Sequence, residues 1–303
     1  MFSHIVFAGG GAAGLVYLGV IQYLEECGLR HHIKHAHGTS IGAFVALAFV
    51  LKLPMSTVAD YIVDHFQRET THFQPLRLLN ILVKGGLDFG HRFTDPIDYF
   101  LTTAGLSTDI TFEELAKATT MDLVVCATNM TTGKPMMFSL TNSPTVKVKD
   151  AVIASMSIPG IIQPIEIQGA WYLDGVLSSN IPVPDNVQPA HVLVVLISSF
   201  DSCFPLNPPQ LSNRSNPSMM MVLNASLRAL LTTMCSPIMY IKYKDNAITF
   251  GWTPLTSLPF RCKPDGSIEI QVRREDIEAS MLMGFETTKK WVLARQDRLK
   301  LDN

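Results

Sequence analysis

The first 53 residues contain two successive segments in which a short apolar strand, a glycine-containing turn and an apolar helix follow one another. Residues 4–8 and 33–37 have the strand pattern, and each leads through glycines into a helical pattern. The second helix, residues 41–53, is apolar almost all round, so it must be buried against a sheet. The chain therefore opens with a β-α-β-α unit, which is typical of the α/β class.

Alternating helix and strand patterns continue along the chain. Residues 191–198 are a continuous apolar run, which is typical of a central parallel strand, and residues 122–129 and 135–140 predict a hairpin. Helices are predicted at 57–66, 76–83, 95–104, 111–115 with Thr111 and Glu114 as a capping box, and 151–157 with Asp150 as the N-cap. We predict a three-layer α/β/α sandwich with a mainly parallel central sheet.

Residues 1–200 are predicted to form the core of the domain, with an insertion of helices and loops at 67–110. Residues 201–217 are rich in Pro, Asn and Ser and predict a loop. The apolar stretch 219–231 is either a core helix, which is favoured, or a lid or interfacial surface. Residues 275–301 predict an amphipathic helix, and we expect the segment 201–303 to pack on the same domain.

Charge and cysteine content argue against several classes of protein. Lys and Arg total 24 against 26 Asp and Glu, a formal net charge of −2, so no basic field would attract nucleic acid. The five cysteines are widely spaced and form no Cys-x-x-Cys, which argues against a disulfide framework or a zinc site. The apolar first 24 residues lack a preceding Lys or Arg and are interrupted by glycines, unlike a signal peptide or anchor. We expect a cytoplasmic protein, associated with membranes at most peripherally.

Ser40 is the centre of the sequence GTSIG, in which Gly38 and Gly42 flank it at two positions on either side. This G-x-S-x-G pattern is that of a nucleophile elbow, where a serine occupies a sharp turn between a strand and a helix. The helix that follows directs its N-terminal amides towards the serine, which favours a developing negative charge there. An ordinary Gly-Ser turn remains the alternative, although the strand before and the helix after Ser40 favour a nucleophile.

The glycine cluster at residues 9–14 has two interpretations. Gly9, Gly11 and Gly14 satisfy the G-x-G-x-x-G pattern of a dinucleotide site, but that site also requires an acid at the end of the second strand. The second strand ends in His-Ala-His-Gly and leads directly into the serine turn. We therefore favour an oxyanion hole in which the backbone amides of Gly10 and Gly11 face the acyl oxygen attacked by Ser40.

Asp174 ends the aromatic strand pattern AWYLD and is followed by Gly175. In α/β folds the residues of a functional site commonly lie at the carboxyl ends of strands, so Asp174 is the candidate base. The alternative is an ordinary Asp-Gly turn. His191 follows in the order Ser-Asp-His, which would complete a conventional triad, but a histidine at a strand edge is the favoured interpretation.

Four histidines are clustered directly before the serine motif, at positions 31, 32, 35 and 37. On a strand, His35 and His37 share a face, but no acid or cysteine accompanies them in the sequence. We expect solvated or packed histidines and no metal site.

Taken together, the motifs resemble the patatin-like phospholipase family. The resemblance covers about residues 4–200 and rests on an ordered series of segments: GGGAAG and LVYLGVIQYLEE (9–26), GTSIG (38–42), TFEEL (111–115), CATNMTTGKPMMFS (126–139), AVIASMSIPGIIQP (151–164) and DGV (174–176). An ordered series of this kind is far more specific than any one of its motifs.

The resemblance implies a three-layer α/β/α fold and hydrolysis of ester-linked fatty acyl chains of phospholipids or acylglycerols at a membrane or droplet surface. It implies a dyad of Ser40 as nucleophile and Asp174 as base, oxyanion donors from Gly10, Gly11 and Ala12, an acyl-enzyme intermediate, and no cofactor. Two departures motivate an alternative, a lipid-binding scaffold without activity. Ala13 stands where the family commonly has Arg or Lys, and Val176 is bulkier than the family's usual residue.

Overall fold

The computed structural model describes residues 1–68, 91–159, 162–197, 241–251, 260–262, 268–270 and 273–299. The strands are β1 (His4–Phe7), β2 (His35–Thr39), β3 (Asp122–Asn129), β4 (Pro135–Phe138), β5 (Ile165–Ile167), β6 (Ala170–Asp174), β7 (Val192–Ile197), β8 (Ala247–Phe250), β9 (Phe260–Cys262) and β10 (Ile268–Ile270). The helices are α1 (Val16–Glu26), α2 (Ile41–Val50), α3 (Met55–Arg68), α4 (His91–Thr103), α5 (Phe112–Thr119), α6 (Val148–Ser155), α7 (Arg274–Leu293) and α8 (Gln296–Leu299).

One mixed sheet of eight strands organises the fold. Its order is β5-β6-β3-β2-β1-β7-β8, and β4 also pairs with β3. The five strands β8, β7, β1, β2 and β3 run parallel, whereas β4 and β6 are antiparallel to β3 and β5 is antiparallel to β6. This arrangement confirms the predicted α/β fold, with a parallel centre and an antiparallel edge.

Strand β3 positions two other strands end to end. β2 pairs with β3 from Asp122 to Cys126, and β6 pairs with it from Ala127 onwards, while β4 pairs with residues 125–128. Because β4 overlaps both partners, β2 and β6 must share the opposite edge of β3. Thr39 lies opposite Cys126 and Asp174 lies opposite Ala127, so the carboxyl ends of β2 and β6 meet at one point.

The two faces of the sheet are covered differently. Alternate side chains of the parallel strands, including Ile5 and Phe7, pack with the buried residues of the helices in the larger core. Val6 and Val194, on the other face, pack with Ile181 and others from the segment after β6. All six residues of β7 are buried, as the continuous apolar run predicts for a strand covered on both sides.

The C-terminal helix α7 packs on α1. Phe285 contacts Tyr23 edge to face, with ring centroids 5.1 Å apart, and Trp291 lies against Phe2 at 6.1 Å. The predicted division into residues 1–200 and 201–303 stays a prediction, and this packing supports placing both parts in one domain.

Several predicted boundaries shift in the structure. Asp150 is not the N-cap of its helix: α6 begins at Val148 with Lys147 as N-cap, so Asp150 lies in the first turn, where a negative charge is also favourable. The predicted capping box is confirmed, since Thr111 and Glu114 bond to each other's backbone amides. The predicted helix at 76–83, the loop at 201–217 and the apolar stretch at 219–231 lie outside the described residues.

Candidate active site

Ser40 lies at the turn between β2 and α2, as the elbow interpretation requires. It is the N-cap of α2, with φ 55° and ψ −129°, a conformation that residues with a side chain rarely adopt. The turn is also crowded, because a Cβ added at Gly42 would overlap the carbonyl oxygen of Phe7. Only glycine at position 42 lets α2 approach β1 this closely, and Gly38 likewise lies against the backbone of α2.

The structure brings Ser40 and Asp174 into direct contact. The Oγ of Ser40 donates a hydrogen bond of 2.6 Å to Oδ2 of Asp174, and the two residues are 5% and 3% exposed. The other carboxylate oxygen, Oδ1, accepts a bond of 2.9 Å from the backbone N–H of Val176. Both oxygens therefore have a donor, and one of these donors is the hydroxyl that would react.

Backbone contacts hold Asp174 in place. Its N–H donates to the carbonyl oxygen of Ser157 at 2.9 Å, and its carbonyl accepts from the hydroxyl of Thr128 at 2.8 Å. Gly175, the next residue, lies so close to β3 that an added Cβ would overlap the carbonyl oxygen of Cys126. Glycine at this position lets the end of β6 meet the end of β2.

Burial raises the pKa of Asp174 from its usual 3.8 to about 7. Loss of solvation is the larger effect, and the hydrogen bonds from Ser40 and Val176 act against it by stabilising the carboxylate. A carboxylate with a pKa near 7 is a far stronger base than an exposed aspartate; about half of it is ionised at pH 7 and most of it at mildly alkaline pH. The site thus supplies the desolvation that an aspartate needs to accept a proton from serine.

The glycine-rich loop after β1 lies beside Ser40. A Cβ added at Gly9 would lie 3.3 Å from Cβ of Ser40 and would overlap the side chain of Val176. The Gly9 N–H donates 2.6 Å to Oδ1 of the buried Asn180, which follows Asp174 in the chain. The three motifs therefore converge at one place.

The predicted oxyanion residues occupy the next positions of this loop. Gly10 precedes a 3-10 turn at Gly11–Leu15, which contains Ala12, and Gly11 has a positive φ of 53°. Gly14 lies against Ile41, the first residue of α2. The donor role of the Gly10, Gly11 and Ala12 amides stays a prediction, and their position after β1 is compatible with it.

The two departures from the family pattern are both buried. Ala13 is 1% exposed and belongs to the larger core. Val176 is 3% exposed and packs against Gly9, while its amide binds Asp174. Neither residue interrupts the contact between Ser40 and Asp174.

His191 lies at the other end of the sheet from Ser40. Its carbonyl pairs with the amide of Ser3 just before β1, and its side chain is exposed. The start of β7, next to His191, is in register with the start of β2, whereas Ser40 follows the end of β2. At about 3.3 Å per strand residue, the length of β2 separates His191 from Ser40 by about 16 Å. The structure therefore does not form the triad that His191 would complete.

His35 and His37 share a face of β2 with His4 of β1, as their spacing predicts. The Nδ1–H of His37 donates to the carbonyl of Pro182 at 2.9 Å, so its Nε2 accepts from Nδ1 of His4, also at 2.9 Å. Burial lowers the pKa of His37 to about 3 and that of His4 to about 4, so both are neutral at pH 7. Within the described ranges, no three His, Cys, Asp or Glu side chains are grouped so as to hold a metal ion.

Sequence reasoning did not single out Asn180 or Ser155, although both contact the site. Ser155 is fully buried and bonds to the backbone N–H of Ser40 at 2.9 Å. The one signal for Ser155 was its place in the segment 151–164, which matches the family pattern in order. Its contact with Ser40 depends on the packing of α6 and has no sequence signature.

The fold and the site define an α/β protein with a buried hydroxyl and carboxylate pair at the carboxyl ends of its strands, beside a glycine-rich loop. The family model described as patatin-like phospholipase matches residues 5–186, more than half of the chain. The chain belongs to the patatin-like phospholipase family.

Curated relatives are distant. The chain is 27% identical over 214 residues to lysophospholipase NTE1 of Meyerozyma guilliermondii, an alignment covering 67% of the chain and 13% of that protein. It is 22% identical over 182 residues to the probable lipid hydrolase 463L of Invertebrate iridescent virus 6, covering 60% of the chain and 62% of that protein. The matched region thus spans only a small part of the fungal relative and less than two thirds of the viral one.

Among solved structures, VipD from Legionella pneumophila superimposes with a TM-score of 0.53 at 16% identity, covering 97% of this chain and 67% of VipD. This similarity agrees with the fold. In the part of the chain that the structure describes, no helix is both long and apolar enough to cross a membrane.

Proposed function

We propose that the chain is a serine lipid acyl hydrolase that cleaves fatty acyl esters through a dyad of Ser40 and Asp174. The observation that carries this proposal is the 2.6 Å hydrogen bond from the Ser40 hydroxyl to a buried carboxylate whose pKa is about 7. Covalent catalysis needs a nucleophile within hydrogen-bond distance of a base, and the base works best when its pKa is close to the working pH.

In the first step, Oγ of Ser40 attacks the ester carbonyl carbon while its proton passes to Oδ2 of Asp174. The negative charge that develops on the carbonyl oxygen is stabilised by backbone amides of Gly10, Gly11 and Ala12 in the adjacent loop. When the C–O bond breaks, the alcohol leaves with the proton from Asp174, and the acyl group remains on Ser40.

In the second step, water attacks the acyl-enzyme and gives a proton to Asp174. The tetrahedral intermediate collapses to the free fatty acid, and the proton returns to Ser40, which restores the starting state. In each step Asp174 first accepts a proton and then gives it back. The proposed mechanism therefore requires no further titrating side chain.

The substrate class in this proposal is phospholipid or acylglycerol at a membrane or droplet surface, met by the chain from the cytoplasm. The name of the fungal relative, a lysophospholipase, supports testing lysophospholipids first. No feature of the described site separates these lipid classes, so the assay must include all of them.

The test is fatty acid release from vesicles of phospholipid, lysophospholipid or acylglycerol by the wild type, Ser40→Ala, Asp174→Asn and, as a matched control far from the site, His191→Ala. We expect release by the wild type and by His191→Ala, with loss of at least about 10³-fold in the other two. Release that survives Ser40→Ala would contradict the mechanism. No release by the wild type from any lipid would favour the alternative, a lipid-binding scaffold.

A further inference from the structure

Ser155 is the last residue of α6 and lies at the point where β2 and β6 meet. Its side chain is completely buried and makes two hydrogen bonds in opposite directions. The Oγ accepts from the backbone N–H of Ser40 at 2.9 Å and donates to the carbonyl oxygen of Cys126 at 2.5 Å. One hydroxyl therefore connects the nucleophile turn to β3.

The amide of Ser40 needs a partner because it is buried. Ser40 is 5% exposed and has a positive φ of 55°, and its N–H donates to the side chain of Ser155. A buried N–H without a partner is strongly unfavourable, and a serine at positive φ is held there only by its surroundings. The hydroxyl of Ser155 accepts the hydrogen bond from this N–H and thereby stabilises the turn at Ser40.

The carbonyl of Cys126, which accepts from Ser155, lies where β3 changes from pairing with β2 to pairing with β6. Cys126 is the last β3 residue opposite β2, and the next residue, Ala127, is opposite Asp174 of β6. This is where the edge of β3 changes partner, and the Ser155 hydroxyl donates there. Ser155 is thus bonded at the one point of β3 from which both Ser40 and Asp174 are positioned.

We infer that Ser155 is a positioning residue for the hydrolysis reaction, and this inference rests on the proposed function. By holding the Ser40 amide, it fixes the turn so that Oγ of Ser40 points at Asp174. The same bond occupies the Ser40 N–H, which therefore does not serve as an oxyanion donor; that role is left to other amides, such as those of the glycine-rich loop.

Ser280 provides a matched control. It is as fully buried as Ser155, and its hydroxyl donates 2.7 Å to the carbonyl oxygen of Asp276, a local bond within α7. Ser155→Ala and Ser280→Ala remove the same atom at equal burial, but only the first removes a bond to Ser40. Ser155→Thr keeps the hydroxyl and tests for rescue.

The first measurement is the hydrolysis of a soluble short-chain p-nitrophenyl ester by the wild type and these three variants, with thermal unfolding followed in parallel. We expect Ser155→Ala to lower kcat by about 10- to 100-fold with KM changed less than about twofold, because a small displacement of the nucleophile acts on the transition state. Ser155→Thr should recover more than half of the lost activity on a logarithmic scale, and Ser280→Ala should keep kcat within about threefold. Equal losses in the two alanine variants, or full activity of Ser155→Ala, would overturn the inference.

The second measurement does not need activity. Amide hydrogen exchange of Ser40 should be at least about tenfold faster in Ser155→Ala and unchanged in Ser280→Ala. If the wild type hydrolyses no ester, the proposed function fails, and this exchange rate still decides whether Ser155 holds the turn. Unchanged protection of the Ser40 amide in a folded Ser155→Ala variant would contradict the structural part of the inference.

Discussion

Replacing Asp174 by asparagine should abolish hydrolysis and stabilise the fold. A buried carboxylate whose pKa rises from 3.8 to about 7 makes the folded state less stable at alkaline pH. At 1.36 kcal/mol per pH unit, this cost reaches about 4 kcal/mol above pH 7. In Asp174→Asn the amide oxygen can still accept from Val176 and the amide nitrogen can donate to Ser40, so shape and hydrogen bonds are kept while the buried charge is removed.

The sign of the pH dependence distinguishes this effect from a general change in packing. The folded-state pKa is raised, so the folded protein binds the proton more tightly than the unfolded chain between about pH 4 and 7. The advantage of Asp174→Asn should therefore be largest at pH 8, fall by about 1.4 kcal/mol per unit below pH 7 and vanish near pH 4. Contributions of the buried histidines are present in both proteins and cancel in the difference.

The assay is urea denaturation of the wild type, Asp174→Asn and Ser40→Ala at pH 8, 6.5 and 5. Ser40→Ala is equally inactive in the proposed mechanism but removes a hydrogen bond that stabilises the carboxylate, so it should lower stability at pH 8 by about 1–3 kcal/mol. Two inactive variants thus shift stability in opposite directions. If Asp174→Asn is no more stable than the wild type at pH 8, or if its advantage does not change with pH, the burial argument is wrong.

Three more predictions concern pH and the neighbouring contacts. Because Asp174 must be ionised, kcat/KM on a soluble ester should fall about tenfold per pH unit below pH 7 and level off above it, which a pH–rate profile measures. Asn180→Ala removes the acceptor for the Gly9 N–H and should lower kcat about tenfold, whereas Asn180→Asp, which keeps an acceptor oxygen, should lose less; equal kcat in both would contradict the role of this bond. His37 and His4 have pKa values lowered to about 3 and 4, so the stability they contribute is present above pH 6.5 and is lost as the pH falls towards 4. His37→Gln should reduce that acid sensitivity by up to about 1.4 kcal/mol per pH unit, as read from denaturation at pH 6.5, 5.5 and 4.5.

The sequence predicts the opening unit of the fold because its signals are local. The strand, turn and helix around Ser40 follow from the glycines at 38 and 42 and from the apolar run after them, and the buried β7 follows from its unbroken apolar sequence. The end of β6 at Asp174 is also visible as a pattern. These features depend on neighbours in the chain, which a sequence displays directly.

The rest of the site depends on distant contacts. Ser40 and Asp174 are 134 residues apart, and their contact follows from two strands sharing one edge of β3, which no periodicity reveals. Ser155 and Asn180 contact the site through hydrogen bonds from their side chains to the backbone of other segments. Small polar residues of this kind look like ordinary helix-end or loop residues until the packing is known.

The meeting of β2 and β6 on β3 has a consequence for how the protein tolerates change. The separation between nucleophile and base is set by one pairing step on a rigid strand and not by the length of the chain that joins them. Connections between residues 40 and 174 that lie outside β3 and α6 can therefore be lengthened, shortened or exchanged, provided that β3 and its neighbours still fold. Variation in substrate choice can accumulate in those connections while the reacting pair keeps its geometry.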